Sequence, residues 1–288
     1  MPRIRKILFP VDFSEHCERV AASVDSVARH FRARLTLLHS IGTGPITQIA
    51  YPLRHYAALR KELRETATFA MEEFIQQHFG SLRVNGLIRD GDPAQVIVDY
   101  AHKQKVDLIM MPTLGYGAFR RFLIGSVTGK VLHDALCPVW TSAHKARAIR
   151  AATGPYQNIL CAADSGSGAV PLIRWAGWIA RRYHATFKLV HVIPALDEIS
   201  RNRGEMELRR YFTRRAQNEF SVLMDQAGFR PELLLRGGNI PARLAETARQ
   251  QHADLLVIGR GHLRKNLGLL RTHSLAIVRE SPCPVISA

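Results

Sequence analysis

Residues 7–12 of the chain read ILFPVD, and residues 159–164 read ILCAAD. Each is a short, mostly apolar run that ends in an aspartate, which predicts a buried β-strand with a polar carboxyl end. Further segments match in the same order: LTLLH at 35–39 with FKLVH at 187–191, DLIMM at 107–111 with DLLVI at 254–258, and CPV at 137–139 with CPV at 283–285. Four ordered matches indicate that the two halves of the chain are duplicates.

The duplication predicts two domains, residues 1–145 and residues 155–288, within a chain of 288 residues. Between them, residues 142–155 show no apolar periodicity and end in a Gly-Pro pair, which is typical of a linker. Hydrophobic residues make up 47% of the chain and charged residues 22%, a balance that argues against disorder. We therefore expect two ordinary globular domains in tandem.

The start of the chain and its bulk composition limit the classes of partner. Basic residues precede an apolar stretch too short for a signal peptide, and Asp12 follows it at once, so we expect a cytoplasmic protein. No apolar run approaches the roughly 20 residues that span a bilayer, so we expect no membrane partner. The four cysteines show neither CxxC pairing nor metal-ligand spacing. The net charge of +16 favours anionic partners, although a solvated basic surface explains it equally well.

Apolar runs alternate with helical patterns in each half, which predicts a doubly wound α/β fold with a parallel sheet. In the first half, the predicted strands are Arg5–Val11, Arg34–His39, Arg83–Leu87, Asp107–Met111 and Pro138–Thr141. The predicted helices are Ser14–Phe31, Pro93–Gln104, Ser126–Leu136 and one between the second and third strands. That helix carries apolar residues at helical spacing, which we interpret as core: Tyr56, Leu59, Leu63, Ala67, Ala70 and Phe74. Its counterpart in the second half carries Leu208, Phe212, Ala216, Phe220, Leu223 and Ala227.

Ligands of open parallel sheets bind beyond the carboxyl ends of the strands, where the strand order reverses. Here the first strand ends in Pro10-Val11-Asp12, and a glycine-containing loop follows the fourth strand. The loop ends in Gly125-Ser126, which opens a helix whose free N–H groups and dipole favour an anion. The glycines predict close approach of the backbone to a phosphate, with a simple tight turn as the alternative.

Two better-known phosphate motifs do not fit this loop. Residues 125–130 read GSVTGK, which lacks one residue of a P-loop and has Val131 where that motif needs a hydroxyl. Residues 115–117 begin like a dinucleotide fingerprint, but Arg120 occupies the position of the third glycine. Neither motif is present.

The spacing of Gly115, nine residues, and Gly125-Ser126 resembles the signature of the universal stress protein family. The opening strand and the closing Cys-Pro-Val also resemble that family, once in each half. The resemblance implies two Rossmann-like domains of the adenine nucleotide alpha hydrolase type, each with a five-stranded parallel sheet flanked by helices. It also implies an ATP site, with or without Mg²⁺, formed by Pro10, Val11, Asp12, Ser40, Met111, Gly115, Gly125, Ser126, Val127 and Thr128.

The two halves depart from the family signature to different degrees. In the first half, Pro112 replaces the first glycine and removes one backbone N–H. In the second half, His262 replaces the second glycine, while Arg271 and Thr272 stand where the first half has Gly125 and Ser126. We therefore predict a degenerate loop and no nucleotide in the second half, although the Arg271 guanidinium offers an alternative phosphate ligand.

The resemblance implies a stress-response switch or adaptor that binds adenine nucleotide mainly in its first domain. We expect no efficient enzyme, because no residue is placed as a base or arginine finger, while slow ATP hydrolysis stays open. The two domains should pair as a pseudo-dimer within one chain, and exposed edge strands would also allow a homodimer. The alternative function is an interaction protein whose basic surface binds nucleic acid or an acidic partner.

Two further groups of residues have a structural interpretation that we prefer. His39 and His191 recur at equivalent strand ends, where a hydrogen-bonded structural histidine is more common than a catalytic one. Four arginines flank two aromatic residues in the second half, a combination that also occurs in nucleic-acid binding: Arg209, Arg210, Tyr211, Phe212, Arg214 and Arg215. Because Phe212 belongs to the apolar stripe, we interpret this segment as a solvated basic helix face and do not expect nucleic acid as a partner.

Overall fold

Each half of the chain folds around a parallel sheet flanked by helices. A computed structural model describes residues 3–42, 53–114, 124–143, 155–196, 203–260 and 269–288. The chain divides into two compact units, Arg3–Thr141 (unit 1) and Ser142–Ala288 (unit 2). Most of the predicted linker lies outside the described residues, as does Gly115 of the predicted loop.

The strands and helices of the two units follow one another in the same order. The strands of unit 1 are β1 (Lys6–Pro10), β2 (Arg34–Ile41), β3 (Val84–Asp90), β4 (Leu108–Met111) and β5 (Val139–Thr141). Its helices are α1 (Glu15–Phe31), α2 (Leu53–Phe79), α3 (Pro93–Lys103) and α4 (Ser126–Asp134). The strands of unit 2 are β6 (Asn158–Ala162), β7 (Thr186–Ile193), β8 (Glu232–Gly237), β9 (Leu255–Ile258) and β10 (Val285–Ser287). Its helices are α5 (Ala169–Tyr183), α6 (Arg203–Ala227), α7 (Ile240–Gln250) and α8 (Leu269–Glu280).

The strand order is the same in both units and confirms the predicted fold class. Within the described residues, unit 1 has the order β3-β2-β1-β4-β5, and unit 2 has the order β8-β7-β6-β9-β10. All the strand pairs given within each unit are parallel. The chain moves to one side of the sheet after β1 and to the other side after β4. The strand order therefore reverses between β1 and β4, and between β6 and β9 in unit 2.

Within each unit, an aspartate at the equivalent position joins the first strand to the fourth. Asp107 accepts backbone N–H bonds from Arg5 at 2.8 Å and Lys6 at 3.0 Å, just before β4 begins. Asp254 does the same before β9, because it accepts from Gln157 at 2.7 Å and from Asn158 at 3.1 Å. Each aspartate joins the start of the fourth strand to the start of the first, so the duplication extends to individual hydrogen bonds.

The long helices α2 and α6 are less buried than their apolar stripes predict. Ala67 and Phe74 of α2 are buried, but Leu63 is 42% exposed. In α6, Phe220 is fully buried, whereas Leu208 is 45% exposed. The helices have 27 and 25 residues, so they are about 40 Å long, whereas a strand of eight residues spans only about 26 Å. Each helix follows the second strand of its unit, so its N-terminal half extends past the carboxyl edge of the sheet.

Most predicted element bounds agree with the structure to within one or two residues. The larger difference is in β3, which continues three residues beyond the predicted end and finishes at Asp90. β2 also continues past its predicted end, and it includes Ser40. In the described part of the chain, no helix is both long and apolar enough to cross a membrane.

Two glycines inside helices provide a matched test of packing. A Cβ atom added to Gly177 of α5 would lie 2.5 Å from the ring of Phe229, whereas one added to Gly129 of α4 would meet nothing within 4 Å. The Phe229 ring cannot shift freely, because it also contacts the Arg181 guanidinium at 4.3 Å and the Phe187 ring. Gly177→Ala should therefore destabilise unit 2 by about 1–3 kcal/mol, and Gly129→Ala should stabilise unit 1 by about 0.5–1 kcal/mol. Urea unfolding measures both, and a change of the same sign in both variants would contradict this packing.

Candidate nucleotide site at the carboxyl edge of unit 1

The ends of β1 and β4 lie side by side at the point where the strand order reverses. The register pairs Ile7 with Leu108 and Leu8 with Ile109, so the two strands finish at the same level. Asp12 follows β1, and Pro112 and Thr113 follow β4. The structure thus places the ends of both predicted segments on one edge of the sheet, as the fold requires.

The N-terminus of α4 is tied to the end of β4 by two hydrogen bonds. The backbone N–H of Gly125 donates to the carbonyl of Thr113 at 2.9 Å, and the hydroxyl of Thr128 donates to the carbonyl of Pro112 at 3.1 Å. Gly125 is the N-cap residue, and as a glycine it has no side chain with which to cap the helix. The first N–H groups of α4, from Ser126 onward, therefore keep their capacity to bind an anion.

The predicted role of Thr128 has to be revised. The resemblance places Thr128 in the ATP site, but its side chain is buried and its hydroxyl donates to the Pro112 carbonyl. Thr128 therefore contributes its backbone N–H and holds the helix against β4. Ser126 is exposed at the first position of α4, and Val127 is half-buried beside it. Met111 is buried in β4 and supplies an apolar floor at the same edge.

Asp12 organises the turn that follows β1. Its Oδ1 atom accepts hydrogen bonds from the Ser14 N–H at 3.1 Å, the Ser14 hydroxyl at 2.6 Å and the Cys17 thiol at 3.1 Å. Burial, reinforced by the neighbouring Asp12 charge, raises the pKa of Cys17 well above its ordinary value. The thiol therefore stays protonated and donates, and Asp12 serves α1 as well as the site.

The other residues predicted from β1 and β2 contribute mainly through the backbone. Pro10 ends β1, and the N–H of Val11 donates to the Leu38 carbonyl at 3.0 Å. Ser40 does not follow β2 as we predicted, because it lies within that strand. Its hydroxyl donates to the carbonyl of Gly91 at 2.9 Å and thereby joins the end of β2 to the turn after β3.

One aromatic residue at this edge has no sequence pattern that points to a role in the site. Phe13 has a φ angle of +59°, a left-handed conformation that is rare and costly for a bulky side chain. Its ring stacks on His39, with centroids 4.7 Å apart, and meets the edge of Phe74 at 6.0 Å. The packing of three rings holds the strained turn beside Asp12, and no local pattern predicts such a contact.

Lys130 is a second residue that the sequence analysis passed over. It lies one turn into α4, and its ammonium is 3.4 Å from Asp92, which also caps α3 by accepting from the Gln95 N–H at 3.0 Å. The capping N–H of Gln95 and the Lys130 charge hold the pKa of Asp92 below its usual value. Lys130 is the lysine at the end of residues 125–130, the segment that resembles a P-loop. That partial resemblance could have indicated a cation near the phosphate site.

His39 is hydrogen-bonded to the backbone, which agrees with its predicted structural role. Its Nδ1 atom lies 2.8 Å from the Val11 carbonyl, and His191 makes the same contact with Ala163 at 2.9 Å in unit 2. A carbonyl only accepts, so each Nδ1 carries the proton that it donates.

His39→Ala should therefore destabilise unit 1 by about 1–3 kcal/mol, because the Val11 carbonyl loses its donor in a half-buried place. His39→Asn, whose amide nitrogen can take the place of Nδ1, should recover most of that loss. Urea unfolding of the two variants measures the difference. Equal losses in both would show that the hydrogen bond contributes little and that the ring stack with Phe13 dominates.

The equivalent edge of unit 2 is built differently. Arg260 follows Gly259 after β9, and its guanidinium donates to the Ser287 carbonyl at 3.1 Å and 3.2 Å from Nη2 and Nε. An arginine side chain therefore lies at the end of β10. His262 and the side chains of Arg271 and Thr272 lie outside the described residues, so the predicted loss of the glycine loop stays a prediction.

The cysteines and the potential metal ligands do not add reactive groups to the described part of this site. Cys17, Cys161 and Cys283 are buried, and burial raises the pKa of Cys283 to about 12. Cys137 is only half-buried. Among the described side chains, no group of three or more histidines, cysteines, aspartates or glutamates could hold a metal ion.

Comparison with known proteins assigns both halves of the chain to one family. The model of the universal stress protein family matches residues 3–142 and again residues 155–287. A universal stress protein of Methanocaldococcus jannaschii is 30% identical over 138 residues, which cover 47% of this chain and 79% of that protein. One of Thermus aquaticus is 33% identical over 135 residues, which cover 47% of this chain and 96% of that protein.

A solved structure supports the tandem fold along the whole chain. The crystal structure of a universal stress protein from Archaeoglobus fulgidus covers 99% of this chain and 96% of its own, with a TM-score of 0.68 and 19% identity. At that identity the likeness concerns the fold, and the family assignment rests on the two matches of the family model. The chain belongs to the universal stress protein family, and its sequence contains the family domain twice in tandem.

Proposed function

We propose that unit 1 binds an adenine nucleotide at its carboxyl edge and that the protein works as a nucleotide-dependent switch or adaptor in a stress response. The observation that carries this proposal is the uncapped N-terminus of α4, which begins after Gly125 and is joined to the end of β4. It lies at the reversal of strand order, beside Asp12. Open α/β sheets bind ligands at this place, and helix N-termini favour phosphates.

The contacts of these residues indicate which groups would hold the phosphates and which would contact the base. The N–H groups of Ser126, Val127 and Thr128 and the Ser126 hydroxyl would hold phosphate oxygens, because no side chain caps this helix. Val11 and Met111 are buried and would offer the apolar surface for the base. Any Mg²⁺ would arrive with the phosphates, since that ion usually needs few protein ligands when a nucleotide is bound.

The same contacts support a switch more than an enzyme. Asp12 already accepts three hydrogen bonds through Oδ1, which makes that atom a poor general base. Lys130 lies next to the proposed phosphate region but is paired with Asp92 at the start of α3. A nucleotide phosphate would compete with Asp92 for this ammonium, so binding would alter the link between α4 and α3.

We expect one ATP per chain at the two loop positions, because Arg271 and Thr272 replace Gly125 and Ser126 in the second half. Calorimetric titration of the full chain with ATP and Mg²⁺ gives the stoichiometry directly. Mass spectrometry of any nucleotide released on denaturation identifies what the purified protein carries. Two equivalent sites per chain would show that the second loop also binds, and the absence of heat at millimolar ATP would refute the proposed function.

A further inference from the structure

The exposed face of α6 in unit 2 forms a groove of about 490 Å³, within the range of small-molecule sites. Its lining residues recur at spacings of three, four and one, so they share one face of the helix. We call this the arginine groove, and it is lined by Glu207, Arg210, Tyr211, Arg214, Arg215, Asn218 and Glu219. It lies on the half of α6 that extends past the carboxyl edge of the sheet.

Two guanidiniums of the arginine groove are available to a ligand. Arg210 and Arg214 are exposed and one turn apart, and neither has an ion-pair or hydrogen-bond partner among the residues that the structure describes. Two guanidiniums on adjacent turns can donate together to the oxygens of one phosphate. Unpaired arginines beside each other also repel, so an anion between them would relieve that repulsion.

The rest of the arginine groove is held in place by its own contacts. Arg215 donates to Glu219 at 2.9 Å, and the hydroxyl of Tyr211 also lies within hydrogen-bond reach of Arg215. The pKa of Glu219 lies below its usual value because of Arg215 and, to a smaller extent, a hydrogen bond with Ser165 and the nearby His191. A continuous row of contacts therefore runs from the Tyr211 ring down to the loop after β6.

Unit 1 differs from unit 2 at two places beside the equivalent helix α2. Asp90 lies 2.5 Å from both Arg60 and Arg64 of α2 and forms an ion pair with each of them. The register pairs Ile41 with Asp90 and, at the equivalent place in unit 2, Ile193 with Gly237, so unit 2 has no carboxylate there. The change to glycine removes from the neighbourhood of Arg210 and Arg214 the kind of carboxylate that pairs with the arginines of α2.

The loop after the first strand also differs between the units, because unit 2 has a smaller side chain there. In unit 1 the bulky Phe13 packs between His39 and α2. The equivalent residue of unit 2 is Ser165, whose small side chain is hydrogen-bonded to Glu219. Both changes open the side of α6 that faces the carboxyl edge, and they occur together in the unit whose glycine loop is replaced.

We propose that the arginine groove is a second ligand site of the protein and that its ligand is a nucleoside monophosphate. Arg210 and Arg214 hold the phosphate, and the ring of Tyr211, which is 58% exposed, offers its face to the base. Glu207 and Glu219 lie at the two ends of the groove and accept hydrogen bonds from hydroxyl or amino groups. A nucleic-acid strand running along the groove would place further phosphates against these carboxylates, which favours a compact ligand with a single phosphate.

The test uses the full chain with Gly125→Asp, so that the site proposed for unit 1 does not contribute, and titrates it with AMP. We expect binding, and we expect Arg210→Ala with Arg214→Ala to weaken it by about tenfold or more. The matched control is Arg182→Ala with Arg249→Ala, which removes the same charge from exposed helical positions of unit 2 and should change nothing. Tyr211→Phe should keep most of the affinity, and Tyr211→Ala should lose part of it.

Several outcomes would overturn this inference. These are no AMP binding to the Gly125→Asp chain, equal binding by the arginine variant and its control, and equal binding of adenosine and AMP. Tighter binding of a single-stranded RNA with the same dependence on Arg210 and Arg214 would assign the groove to nucleic acid instead. Failure of the unit 1 proposal would show separately, as equal ATP binding by the wild-type and Gly125→Asp chains.

Discussion

Gly125→Asp is expected to weaken the binding of ATP to the full chain by about 100-fold or more. Gly125 is the N-cap of α4, and its φ of −54° and ψ of 143° suit any residue, so the backbone can accept a side chain. An aspartate at this position would accept the free N–H groups at the start of the helix. It would also place a negative charge where the phosphates are proposed to lie.

The choice of aspartate separates loss of binding from loss of folding. Because aspartate is a better N-cap than most side chains, the variant should unfold at the same urea concentration as the wild type or at a higher one. Gly125→Leu removes the site by bulk without adding a charge, and it should also lose affinity. Gly129→Ala, one turn further along α4, is the control that should bind normally. Wild-type affinity in both Gly125 variants would place the nucleotide elsewhere.

Phe9→Ala should destabilise unit 1 by about 3–5 kcal/mol. Phe9 lies in the centre of β1 with 0% exposure, and its ring centroid is 6.3 Å from those of Phe74 and Phe79 on α2. Removal of the ring leaves a cavity between the sheet and the helix that neither neighbour can fill without moving. Because the residues after Phe9 form the proposed site, the affinity for ATP should also fall.

Phe69→Ala is the matched control for this substitution. Phe69 lies on the same helix but is 69% exposed, so its loss should change the free energy of unfolding by less than about 0.5 kcal/mol. Hydrogen exchange of the β1 and β2 amides localises the effect to unit 1 of this two-unit chain. Equal destabilisation by the two variants would mean that the core between β1 and α2 is not packed as described.

The duplication, the α/β class and the position of the candidate site could all be predicted from sequence. Runs such as residues 7–12 and 107–111 show the buried strands, because four or five consecutive apolar residues have no other stable place in a soluble domain. The glycine and serine at the start of α4 are likewise visible, since helix N-termini have local residue preferences. These features depend on neighbours along the chain, and so local pattern suffices for them.

The hydrogen-bond partners of the polar side chains lie far away in the sequence, so only the tertiary structure shows which partner each side chain has. The hydroxyl of Ser40 donates to a carbonyl 51 residues away, and that of Thr128 to one 16 residues away, so neither has the role that its motif suggests. The apolar side chains at the start of α2 and α6 are exposed because these helices are longer than the strands on which they pack. The lack of a described partner for Arg210 and Arg214 of α6 goes with a glycine in β8 where β3 has Asp90. Hydrogen bonds and ion pairs form between groups that the fold brings together, and their partners cannot be identified from the pattern around either residue.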